Sequence, residues 1–65
     1  DCRVFCVINT TKYNNDGRWS VQTCDYAGLD SIGFNIDDCE VIDNMLVGDV
    51  RAEFDYIGVM VVRIA

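Results

Sequence analysis

Three observations predict an all-β fold, a small disulfide-stapled antiparallel β sandwich of about six strands. The chain has only 65 residues, it carries four cysteines, and its apolar residues recur mostly at strand spacing. A domain this short buries only ~60% of the surface its unfolded chain exposes and is marginal without a staple. An even number of cysteines can supply two disulfides, each stabilising by roughly 2–4 kcal/mol. Zinc is the rival use, but Cys2, Cys6, Cys24 and Cys39 lack the closely spaced pairs of a structural zinc site, and the chain has no histidine. No composition shift, repeat or low-complexity tract interrupts the sequence, so residues 1–65 read as a single domain.

The first strand lies in Asp1–Asn9, which holds half of the cysteines. From Cys2 to Ile8 both residue parities are apolar, the pattern of a strand covered on both faces. Thr10 to Tyr13 continue it in more polar form. Asn14-Asn15-Asp16-Gly17 then predicts a type I turn closed by a glycine bulge, because asparagine and aspartate bond their own backbone and glycine takes positive φ freely. Arg18 to Thr23 alternates polar and apolar and returns as the second strand of a hairpin. A three-residue loop pairs Asn14 with Arg18, Tyr13 with Trp19 and Ile8 with Cys24. That register puts Phe5, Val7, Tyr13, Trp19 and Val21 on one face, and Val4, Cys6, Ile8 and Cys24 on the other.

Asp25 to Asp30 reads as a loop. Ser31 to Ile36 alternates as a third strand with Ile32, Phe34 and Ile36 inward; Asp37-Asp38 forms a turn, and Cys39-Glu40-Val41-Ile42 begins a fourth strand. Residues 44–57 carry two patterns. Gly48-Asp49 suits a two-residue hairpin turn joining Val41–Val47 to Val50–Tyr56. Leu46, Val50, Phe54 and Ile57 fall near helical spacing, with Asn44 as a cap and Gly58 as a stop, which gives an α+β alternative with one helix near residues 44–57. Gly48 inside that helix and acidic residues late in it favour the strands. Val59 to Ile64 is β-branched and continuous, and suits a central closing strand.

Strand geometry separates Cys2 from Cys6 by about 13 Å, beyond the ~7 Å reach of a disulfide. In the hairpin register Cys24 is diagonal to Cys6 on the same face. Cys6 is therefore expected to bond Cys24, leaving Cys2 for Cys39. Disulfides place the chain in an oxidising compartment, and a first residue Asp1 rather than Met fits a mature secreted chain freed of its signal peptide.

A net charge of −6 repels phosphate backbones and anionic lipid, so neither nucleic acid nor membrane is an expected partner, whereas a cationic protein surface is attracted. Catalysis has little to work with: there is no histidine, no free thiol if both disulfides form, and Lys12 as the only lysine sits beside a turn. Asp37, Asp38, Glu40 and Asp43 lack calcium-loop spacing and read as a solvated acidic turn. No cofactor or metal is expected. Arg18, Trp19 and Tyr26 are the candidate binding residues, since aromatics with arginine are common interface anchors; as the largest side chains of so small a domain, Trp19 and Tyr13 suit the core better than a binding face, and Tyr26 suits either.

With strands and cysteines placed, Asp1-Cys2 with Arg3-Val4-Phe5, or Phe5-Cys6-Val7-Ile8, followed by Asp38-Cys39-Glu40-Val41-Ile42, resembles the pattern of the MAX effectors. These are the small secreted avirulence and ToxB-like proteins of plant-pathogenic fungi, with an early cysteine on the first strand and another before the fifth. The resemblance implies a six-stranded sandwich and a secreted, non-enzymatic, effector-like protein that binds a host protein as a monomer, with translocation into host cells. It implies nothing of individual binding residues. The alternatives are a secreted inhibitor of a hydrolase, with Tyr26 in the plugging loop, and a toxin acting through a protein receptor.

Overall fold

In the computed structural model, which describes every residue from Asp1 to Ala65, the N-terminal run forms strand β1 (Val4–Tyr13). The turn after it closes as expected. The Asn14 N–H donates to the Arg18 carbonyl at 2.7 Å, the Gly17 N–H donates to the Asn14 carbonyl at 2.9 Å, and Gly17 takes a φ of 79°. The chain returns as β2 (Trp19–Asp25), with Tyr13 opposite Trp19.

Beyond that pair the expected register fails. Thr10, Thr11 and Lys12 intervene between Asn9 and Tyr13 on β1, while Ser20 follows Trp19 directly on β2. Asn9 holds the irregularity: its Oδ1 accepts from the Thr11 N–H at 2.9 Å and from the Thr11 hydroxyl at 2.7 Å, local bonds that compete with the ladder. The offset is odd, so it turns β2 over relative to β1. Cys24 lies opposite Phe5, Val21 lies opposite Ile8, and Trp19 and Val21 face away from Phe5 and Val7.

The segment expected to supply the third and fourth strands is helical instead, as α1 (Gly28–Ile32) and α2 (Ile36–Asp43). Gly33, at a φ of 119°, ends α1 in the left-handed conformation that favours glycine. Asn35 then caps α2, its side chain accepting from the Asp38 N–H at 2.8 Å, and Asp37 and Asp38 fill the first turn, where the helix dipole stabilises carboxylates. The apparent alternation of Ile32, Phe34 and Ile36 is thus a helix end, a buried connector and an exposed first turn; Ile36 is 81% exposed. Asn35 also donates to Asp55 Oδ2 at 3.2 Å. Asn35→Ala is expected to destabilise the protein by about 1 kcal/mol through the lost cap, read as a lower urea midpoint at unchanged slope; no change would mean that the cap contributes nothing.

Residues 44–57 form neither the expected strand pair nor the alternative helix. They run as turns around a two-residue strand, β3 (Val50–Arg51), before β4 (Val59–Arg63). The sheet has four antiparallel strands in the order β2-β1-β4-β3, with β1 and β4 at its centre. Phe5, Val7, Val59 and Val61 project from one sheet face onto Leu29, Phe34, Ile42 and Met45, and these eight residues are the core. Phe34 packs edge-on against Phe54 at 5.3 Å, and Asp38 Oδ1 accepts from the Asp55 N–H at 3.0 Å, tying the loop before β4 to α2. The fold is two layers, helices on one face of a sheet, and not an all-β sandwich.

No staple crosses it: all four cysteines are free thiols. The register offset puts Cys24 against the core while Cys6 faces the other way; Cys39 rides on α2 and Cys2 precedes β1. Neither expected pairing, Cys6 with Cys24 nor Cys2 with Cys39, forms. The unfolding midpoint should therefore be the same with and without reductant, and denatured protein should take up four equivalents of iodoacetamide. Burial, followed by nearby carboxylates, pushes the Cys24 and Cys39 thiols above their ordinary value of 9.0. Their folded values exceed their unfolded ones, so this contribution to stability is intact below about pH 9 and is lost as pH rises through the folded values. A pH series of unfolding midpoints that stayed flat above pH 9 would contradict it.

Candidate functional site

The sheet face opposite the helices has no cover. Alternation along β1 and β4, set by the cross-strand register, assigns its residues in rows. Thr23, Cys6, Val62 and Val50 lie side by side across all four strands, and Val21, Ile8 and Met60 form the next row. Tyr13 and Trp19 extend the face toward the hairpin tip, opposite one another. Trp19 is 47% exposed, Val21 55% and Val50 58%. No charged side chain interrupts the rows: Arg51 and Arg63 stand opposite Val61 and Phe5, on the core side, and Asp25 stands at the corner opposite Val4.

The two-sided apolar character of β1 now has a specific meaning. A strand with Phe5 and Val7 on one side and Cys6 and Ile8 on the other is composed for cover on both faces, and β4 repeats the pattern with Val59 and Val61 against Met60 and Val62. The chain itself covers only one. Monomeric proteins rarely leave contiguous apolar patches beyond a few hundred Å² uncovered.

The three binding candidates do not converge. Trp19 is on the open face. Arg18 sits in the turn, its side chain 85% exposed and 3.8 Å from Asp16. Tyr26 belongs to the helical side, where the Arg3 guanidinium lies 4.3 Å from its ring centroid and Arg3 in turn bonds Asp43 at 2.6 Å. Desolvation, reinforced by Asp43 and Cys39 and opposed by Arg3, raises the Tyr26 hydroxyl above the ordinary phenol value. Packed against the core in this way, Tyr26 is not the tip of a projecting loop. Sequence reasoning missed Ile8, Met60 and Val62 as surface residues; the signal was their parity, which the unrecognised offset at Asn9 concealed on β2.

Besides a recess of about 370 Å³ between Gly33, Asn35, Asp38 and Asp55, two concavities lie on the helical side. One, of about 490 Å³, runs between Tyr26, Phe34 and Ile36 with Asp30, Glu40 and Asp43 at its rim. The acidic residues read as a solvated turn are thus on α2, and Asp38 among them is 4% exposed. The other, of about 310 Å³, is lined by Asn9, Ser20, Gln22, Ser31 and Tyr56 with Lys12 among them. The Cys39 thiol also lines the first of these two, where burial and then Asp30, Asp38 and Asp43 raise its pKa and hold it in the weakly nucleophilic protonated form. No protein-family model, curated protein or solved structure matches the chain.

Proposed function

We propose that this chain is a non-enzymatic protein-interaction module and that the uncovered sheet face is its docking surface. One observation carries the reading: the two central strands are apolar on both sides, and the chain buries only one of them. An uncharged apolar centre with aromatics toward one end is the composition of an interface core. Trp19, the only tryptophan, is the anchor within it. Four free thiols and a four-stranded α+β fold remove the structural basis of the MAX resemblance, so the reading rests on this surface alone.

A photo-crosslinking residue placed at Val21 on the open face, and separately at Glu40 on α2, tests it. The expected result is a protein adduct at Val21 but not at Glu40, lost when Trp19 is replaced by alanine. Equal capture at both positions, or none at either, would overturn the reading.

A further inference from the structure

From the composition and area of the open face we infer that its occupant is a second copy of this chain, stacked face to face about a two-fold axis. This rests on the open face being a docking surface and names what fills it. The area suffices. Strands ~4.8 Å apart, with the paired part of β1 rising ~3.3 Å per residue, give a face on the order of 600 Å² per copy once side-chain relief is included, so two copies bury ~1,200 Å², the lower edge of a specific interface.

Self-complementarity follows from where the apolar strip lies. β1 and β4 are the central strands, so an axis parallel to the sheets, midway between them and over the line from Cys6 to Ile8, sets the Ile8–Met60 row of one copy against the same row of the other, as an isologous interface requires. The two sheets would stack ~10 Å apart with helices outermost, and each central strand would gain the second cover for which it is composed.

Charge does not oppose this arrangement. Each copy carries −6, but the rows contain no charged side chain, and a Debye length of ~8 Å at physiological ionic strength screens what faces across the pair. The size of the chain favours it. Domains of about this length commonly need disulfides, a metal or oligomerisation; here the thiols are free, and no three His, Cys, Asp or Glu side chains form a metal-holding cluster. Association is the staple that remains.

Sedimentation equilibrium of the wild-type chain is the test, with Val21→Lys combined with Met60→Lys as the comparison. The expected mass rises from the 7.3 kDa monomer to twice that as concentration passes through the micromolar range, and the transition moves to lower concentration on adding salt. The double variant should stay at 7.3 kDa at every concentration while keeping the far-UV spectrum of the fold. Cys6 supplies a readout that needs no variant: alkylation of its thiol should slow several-fold at the concentration where the mass doubles, while exposed Cys2 continues to react. A wild-type chain that stays monomeric at several hundred micromolar, or whose association leaves Cys6 unprotected, overturns the inference. The crosslink at Val21 separates the two claims, because a monomeric chain that captures a different protein there keeps the docking surface and loses only the second copy.

Discussion

Phe5→Ala is expected to remove about a third or more of the protein's stability at room temperature. The ring is fully buried between its cross-strand neighbours Cys24 and Arg63 on the central strand, with Tyr26 at 6.5 Å between centroids. Truncating a buried phenylalanine costs ~3–5 kcal/mol, the lost transfer energy plus the cavity left behind. At ~0.05–0.15 kcal/mol per residue, a chain of this length has only about 3–10 kcal/mol in total. With no disulfide limiting the unfolded ensemble, the loss takes about a third or more of what is available, and all of it at the lower end of that range. Ile36→Ala is the control: its side chain is equally apolar but 81% exposed, so a change within ~0.5 kcal/mol is expected. Urea titrations followed by far-UV circular dichroism would show the difference directly. A Phe5→Ala midpoint within experimental error of the Ile36→Ala midpoint would mean that the core does not centre on β1.

How much of this was legible in the sequence depends on whether local chemistry agreed with the final packing. The first hairpin was readable because Asn14-Asn15-Asp16-Gly17 has one good conformation, and the structure closes it with the Asn14–Arg18 bond. β4 was readable because a β-branched run tolerates little else. The helices were not, because Ile32, Phe34 and Ile36 mimic a strand; the signals against it were Gly33 and the Asn35-x-x-Asp38 cap, two local features that outweighed the apolar spacing. The disulfide pairing failed for a different reason. It was inferred from a register extrapolated across Asn9, and an odd offset there reverses the facing of every residue beyond it. The same offset moved Trp19 and Val21 to the open side, so the feature that removed the staple also built the candidate site. Tyr26 reads as a binding candidate as readily as a core residue because nothing in the sequence places Arg3 over its ring, a contact across 23 positions.

Gly58 tests that offset from the opposite strand. It stands at the entry to β4 with a φ of 82°, and its carbonyl accepts from the Thr10 N–H at 2.8 Å and from the Thr10 hydroxyl at 2.6 Å. A Cβ added there would fall well inside contact distance of Thr11 Cγ2. Thr11 is not free to turn away without cost, because its hydroxyl and N–H are the groups that bond Asn9. Gly58→Ala therefore combines a left-handed alanine, ~1–2 kcal/mol, with overpacking of ~1–3 kcal/mol, for an expected loss of about 2–5 kcal/mol. Gly17→Ala isolates the first component: its φ of 79° is nearly the same, but nothing lies within 4 Å of the added Cβ. Its expected loss is ~1–2 kcal/mol. The collision component is separable in a double-mutant cycle, since Thr11→Ala removes Cγ2. The pair Gly58→Ala with Thr11→Ala should be more stable than the sum of the single losses predicts, by about 1 kcal/mol or more. Additive losses would show that Gly58 is required for its backbone angle alone, and that the contact between the β4 entry and the irregular stretch of β1 contributes nothing to holding the register.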